Sequence, residues 1–488
     1  MADILAVCLS FPTDGLEKLA PKDYDSKIAA FQKELGRISA AQWIKAIDRQ
    51  NILDTLNPTT NTIPYLHALV VLTANIDKDR ARNEELLDRA ITFIASFNQI
   101  QIRYVGEQWT QLMKWTLDLL ERTDSMDFTP ISTAMLRLDP TAGTYTSWHL
   151  RLVQACLNAG VPTQALPILD QNIYAFPQTQ VKNVPDELLT DNIELSNAFI
   201  TPKSGFTLAV RTEHVLEYYL LGAHVYIGLR SYTRARIFLE FVILTPTQQH
   251  ACSALQVEAY KKWVMIGLLA EGKTFPLPRT HDAAVIRSIK SIAKPYDALA
   301  DSFERRDWRK YQAEMDYGTQ IWHEDGNLRM VGEAGVALLR YRVSDLQKTY
   351  AALPVTRVAS HIGFTPDDTA QMLTNMIRSR TLNASLMPSE SNAPGDAVLR
   401  FHILATSGTN VEGTELEAQT KRIEDLVTFV RDADRRVQLT KEYIEYAKRT
   451  KRADGLDADL ADHMDLTWDA PAAGMTVEDG DEEDIMAP

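Results

Sequence analysis

Leu416, Ile423, Val430, Val437 and Ile444 recur at intervals of seven along a charge-rich stretch, Glu415 to Arg449, that contains neither Gly nor Pro. A seven-residue apolar period sustained this long specifies a helix with a seam, roughly 50 Å from end to end. No small domain covers such a seam by itself. The second seam column, Gln419, Leu426, Ala433, Thr440 and Ala447, contains one large apolar residue. That is too little for a self-sufficient dimer and suits a bundle to which several helices each bring a partial face. The alternative folds the seam back onto the chain's own repeats. The expectation is a subunit built for assembly, with Leu416, Ile423, Leu426, Val430, Val437 and Ile444 as its partner-binding seam.

With 488 residues, 45% of them apolar, the chain can bury a large core in two or more domains. The net charge of −14 is concentrated at one end: twelve Asp or Glu and no Lys or Arg follow Arg452, which leaves the preceding part at −2. A nearly neutral body argues against a general nucleic-acid surface, which needs concentrated cations. The acidic stretch 453–488 reads as a solvated, disordered tail. Cys8, Cys156 and Cys252 are odd in number and far apart, matching neither a disulfide framework nor a thiolate metal site and implying a reducing compartment. The first fifteen residues carry Asp3 and no basic leader, and the longest apolar runs, such as Ala68 to Leu72, are too short to span a membrane. A soluble intracellular protein without membrane partners is expected.

Residues 1–340 read as amphipathic helices separated by turns. Trp109, Leu112, Met113, Thr116 and Leu120 share one face, and so do Trp148, Leu152 and Ala155 ahead of Gly160-Val161-Pro162. Between Tyr218 and Pro246 an aromatic pair, Gly222, Tyr226, Gly228, Tyr232, Ala235 and Leu239 follow in the order of a helix-turn-helix repeat. Small residues at 222 and 235 permit close helix approach, with Gly228 and Pro246 punctuating the turns. A looser copy runs from Trp148 to Pro177. Such pairs bury their apolar faces only by stacking, so a mainly α, TPR-like helical-repeat solenoid is expected, interrupted by a surface insertion at about 177–205.

Past residue 341 the pattern changes. Val343, Leu346, Tyr350 and Leu353 predict a short helix, Val355 to Ile362 a second, and Thr365-Pro366-Asp367-Asp368 the capped start of a third. Two alternating runs then predict strands: Leu382, Ala384 and Leu386, and Ala397, Leu399, Phe401 and Ile403. Three helices and a two-stranded hairpin over 341–406 make a winged helix. Its open edges are candidate partner-binding strands, carried by Leu382, Ala384, Leu386, Leu399, Phe401 and Ile403. The seam helix, 412–450, comes next.

A repeat solenoid, a winged helix and a long C-terminal helix in that order resemble the PCI family, scaffolding subunits of the proteasome lid, the COP nine signalosome and translation initiation factor three. The signalosome members are the best match. The resemblance is carried by Tyr218-Tyr219-Leu220-Leu221-Gly222, Tyr226-Ile227-Gly228-Leu229, Ala235, Thr245-Pro246, Glu258-Ala259-Tyr260-Lys261-Lys262-Trp263 and Lys294-Pro295-Tyr296. It implies a non-catalytic scaffold, cytoplasmic and nuclear, in a complex that removes a ubiquitin-like modifier from cullins and so regulates cullin-RING ligases. It also implies that the partners are other PCI subunits, whose winged-helix sheets join edge to edge and whose C-terminal helices gather in one bundle. A proteasome-lid or initiation-factor subunit is the alternative, and a winged-helix DNA-binding regulator a more distant one.

Chemistry is not signalled. The ten histidines lie at least ten residues apart, and phosphate loops, nucleophile elbows and zinc signatures are missing, so no catalytic residue, cofactor or metal is expected. The presumed recognition helix opens with Asp367 and Asp368, the wrong sign for phosphates. Lys448, Arg449, Lys451 and Arg452 fit a helix C-terminus electrostatically and also fit a nuclear import signal.

Overall fold

A computed structural model describes residues 4–10, 21–50, 52–75, 80–123, 126–177, 196–247, 251–379, 381–387, 397–402, 410–438, 443 and 446. The chain divides into two units, Met1–Thr406 and Ser407–Pro488.

The first unit begins with α1 (Ile4–Leu9), α2 (Pro21–Gly36), α3 (Ala40–Gln50), α4 (Ile52–Thr55), α5 (Thr62–Ala74), α6 (Arg80–Ser96), α7 (Gly106–Arg122) and α8 (Thr129–Leu138). It continues with α9 (Ser147–Asn158), α10 (Leu166–Leu169), α11 (Thr212–Gly228), α12 (Tyr232–Leu244), α13 (Ala254–Ala270), α14 (Ala283–Ile292), α15 (Lys294–Glu304), α16 (Trp308–Tyr317), α17 (Thr319–Glu324) and α18 (Leu328–Leu346). The apolar faces expected around Trp109 and Trp148 are buried on α7 and α9. Helices α3, α5 and α7 pack in succession, the rings of Trp109 and Trp148 meet edge to face at 5.9 Å, and α9, α11, α13 and α15 continue the row. Helices α6, α8 and α10 form a second layer, and α12 lies against both α11 and α13.

Gly222 shows why the pair α11–α12 needs a small residue. A Cβ there would stand 2.6 Å from Cε1 of Phe238 and 2.9 Å from Cδ2 of Leu169, so three helices meet where only hydrogen fits. Ala235 on α12 is fully buried. Four connections of the solenoid close alike. Gly160, Arg230, Arg306 and Gly326 take positive φ, and the next residue's N–H donates to the carbonyl five residues back: Val161 to Cys156, Ser231 to Tyr226, Asp307 to Ser302 and Asn327 to Trp322. This Schellman closure satisfies carbonyls a helix end leaves open. The turn expected at Gly228 therefore pivots two residues later, on Arg230. Arg306 holds the same conformation without being glycine because its guanidinium donates to the carbonyls of Phe303 and Gly272 and to Asp345 Oδ2.

The described end of the insertion departs from the surface placement expected for it. Phe199, Ile200 and Phe206 are buried, and Thr110 Oγ1 donates to the Gly205 carbonyl. A Cβ on Gly106 would fall 2.2 Å from the Ser204 carbonyl, so the segment is seated on the first turn of α7.

The winged helix contains one more strand than expected. β1 (Ala352–Pro354), β2 (Ala384–Met387) and β3 (Val398–Phe401) form an antiparallel sheet in the order β1-β3-β2. Tyr350 and Leu353 thus leave the helix predicted for them, which is instead the end of α18. That helix serves two cores: Val331, Ala334 and Leu338 belong to the solenoid's, Leu339 and Val343 to the winged helix's. The boundary expected at residue 340 falls inside it. Helices α19 (Val355–Ile362) and α20 (Pro366–Arg378) follow as predicted, with Gly363 at φ 90° between them and Thr365 Oγ1 accepting from the Asp368 N–H.

The second unit contains α21 (Asn410–Gln438), 29 residues long, and Tyr443 and Tyr446 are also helical.

Candidate assembly surfaces

On α21 the seam residues face solvent. Leu416 is 65% exposed, Ile423 61%, Leu426 56%, Val430 62% and Val437 52%, values that place large apolar side chains where a free-standing helix would carry polar ones. Ile444 lies outside the described residues. The apolar surface is also wider than the heptad column: Val427 and Phe429 are exposed too. Val427 sits four residues after Ile423 and three before Val430, so with Leu426 it broadens the column into a stripe of about 100°. That i+3/i+4 spacing was its visible signal. Phe429 lies outside any regular period.

The six strand residues occupy different positions. Leu382 precedes β2; Leu382, Ala384, Leu399 and Phe401 are buried in the winged helix's own core, and Leu386 is partly buried against it. Their side chains therefore pack the subdomain's own core, and two of them, Leu399 and Phe401, lie on β3, the central strand. Ile403 lies outside the described residues. What the sheet leaves open is backbone. His402 N–H donates to the Asn383 carbonyl and Phe401 N–H to the Ala351 carbonyl, and antiparallel alternation then turns the N–H and C=O of Ala384 and Leu386 outward along β2. The other edge is short, and Pro354, lacking an N–H, blunts it.

The motif around Lys261 has an interior role. Lys261 Nζ donates to Asp325 Oδ1 at 2.5 Å, Tyr296 OH donates to Asp325 Oδ2 at 2.8 Å, and Asn327 Nδ2 donates to Tyr296 OH at 2.8 Å. Lys262, 7% exposed, donates to Asn327 Oδ1 at 2.7 Å and pairs with Glu258 at 2.8 Å. Tyr260 OH donates to Asp297, and Trp263 Nε1 donates to Glu240 on α12. One turn of α13 thus ties α12, α15 and the α17–α18 connection together. Burial, reinforced by the Lys262 charge, pushes His224 down to about 4. Burial also pushes His149 down to about 4; its Nδ1 accepts from the Thr146 N–H as part of the α9 cap. No cluster of His, Cys, Asp or Glu suited to a metal ion occurs among the described residues, and none of their helices is long and apolar enough to cross a membrane.

Residues 31–285 match the family described as COP9 signalosome complex subunit 3, N-terminal helical repeats, which covers the solenoid from α2 to α14. The chain belongs to the COP9 signalosome subunit 3 family. Among curated relatives, COP9 signalosome complex subunit 3 of Emericella nidulans is 30% identical over 425 residues, 83% of this chain and 84% of that protein. Subunit 3 of Neurospora crassa is 24% identical over 91% of this chain and 90% of its own length, and that of Dictyostelium discoideum 23% over 82% and 88%. These alignments span more of the chain than the repeats alone, so the subunit 3 likeness extends past the solenoid.

Proposed function

We propose that this chain is a non-catalytic scaffold subunit of the COP9 signalosome, supporting cullin deneddylation and the regulation of cullin-RING ligases by holding other subunits in place. The observation that supports this most is the near full-length similarity to subunit 3 proteins in a chain whose C-terminal helix displays a solvent-facing apolar stripe. Three surfaces divide the work. The solenoid meets neighbouring subunits, the outward backbone of β2 extends a sheet into the next winged helix by strand pairing, and the stripe on α21 enters a bundle with partner helices. On this reading the protein acts in both cytoplasm and nucleus, alongside the subunit that carries the deneddylase chemistry. Native mass spectrometry of the assembly that copurifies with the tagged chain tests it. Cullins and a deneddylase in the assembly are the expected result; proteasome base or ribosomal particles in their place would overturn it.

A further inference from the structure

Exposed cations gather at the corner where α14 gives way to α15. Helix α14 turns Val285, Ile286 and Ile289 inward; its opposite face carries Arg287 and Lys290, and Lys294 opens the first turn of α15. All three cations are exposed. Arg287 Nε donates to the Ala283 carbonyl, and among the described residues none of the three forms an ion pair. Lys290 is felt by one acid, Asp297, whose Oδ1 already accepts from the Tyr260 hydroxyl. Asp282 caps the far end of α14, accepting from the Ala284 and Val285 N–H groups. The acids on α13 and α15, against which α14 packs, are engaged elsewhere: Glu258 with Lys262, Glu271 beside Arg236, Asp301 with Arg305 and Lys310, and Glu304 with Thr274. The corner therefore sets three cations against one half-buried carboxylate. In the isolated chain this costs stability, because like charges one helical turn apart repel and Lys294 stands at the positive end of the α15 dipole.

We propose that this corner docks an acidic peptide segment of a partner protein, which brings three or four carboxylates to Arg287, Lys290 and Lys294. The partner's charge removes both unfavourable terms, and the three side chains pair with carboxylates through charge-assisted hydrogen bonds. A phosphate polymer suits the corner less well. The Tyr296 and Asp297 N–H groups already donate to the Ala293 carbonyl and Pro295 has none, so the start of α15 holds no backbone cradle for phosphate. The contact uses none of the β2 backbone and is additional to strand pairing.

Fluorescence anisotropy with the full chain tests this, and it decides the surface whichever complex copurifies with the chain. The probe is a dye-labelled peptide, Gly-Ser-Asp-Glu-Leu-Asp-Glu-Ser-Gly; one control carries Asn for Asp and Gln for Glu, and another is a dye-labelled single-stranded DNA octamer. Lys290→Gln with Lys294→Glu removes the charge without threatening the fold, since both side chains are exposed and an acid in the first turn of α15 favours that helix. Arg287→Gln is a second, independent variant, and Lys114→Glu, exposed on α7, controls for net charge. The acidic probe should bind, about tenfold more weakly at 150 mM than at 20 mM salt, and about tenfold more tightly than either control. The double variant should weaken it about tenfold and Arg287→Gln about threefold, both with an unchanged melting temperature, while Lys114→Glu leaves it unaltered. Absence of binding, equal binding of the neutral peptide, tighter binding of the DNA, or equal losses in Lys114→Glu and the double variant would overturn the proposal.

Discussion

At Gly222, a hydrogen in place of a methyl group decides whether three helices close. Gly222→Ala puts a carbon inside van der Waals contact with Phe238 and Leu169, and the overpacking is expected to cost about 1–3 kcal/mol, read as a lower denaturant midpoint with an unchanged slope. Two histidines, His149 and His224, set a pH limit. Each ring has its pKa lowered from 6.5 to about 4 in the folded chain, so the unfolded chain takes up the proton first. The stability each contributes is complete above pH 6.5 and is lost as pH falls from there toward 4, about 2 kcal/mol per ring by pH 5. His149→Gln keeps an acceptor at the capping position of α9 and removes the titration, so its melting temperature should fall less between pH 7.5 and 5 than that of the parent chain. Lys262→Met is expected to raise the His224 pKa, measurable by NMR titration, because the nearby cation is gone, and to destabilise by leaving Asn327 Oδ1 without its donor.

At the scale of elements, what could be read from sequence was what one element decides alone. The Thr365 cap, the buried faces of α7 and α9 and the heptad column each follow from spacing within one helix. What escaped depends on partners distant in sequence. Ala352-Leu353-Pro354 is too short to alternate, and Val343, Leu346, Tyr350 and Leu353 keep helical spacing straight through it; only pairing with β3 makes it a strand. Alternation at Leu382, Ala384 and Leu386 and at Ala397, Leu399, Phe401 and Ile403 reveals that one face is apolar without revealing what covers it. Gly228 drew attention as the residue best suited to a turn, yet Arg230 pivots because carbonyl contacts five residues back set the closure. The boundary at 340 was misplaced because a change of sequence pattern need not end a helix. Since Leu338, Leu339 and Val343 on α18 are shared between cores, a fragment ending at residue 340 should expose apolar surface and aggregate. One ending at residue 406 should remain monodisperse by size-exclusion chromatography.

For the whole molecule, charge and apolar surface lead to the same conclusion. Up to Arg452 the chain is nearly neutral, and α21 bears apolar side chains in water. On the proposed reading, helices of other subunits bury those side chains. The central claim is that the α21 stripe is an assembly surface. Ile423→Asp with Val430→Asp would force two carboxylates into any interface formed there, at a cost no bundle of this kind tolerates. The deciding measurement is a pull-down from cells expressing the tagged double variant, alongside circular dichroism of the purified chain. The account predicts an unchanged helical spectrum and loss of the copurifying subunits; full recovery of the complex by the double variant would contradict it.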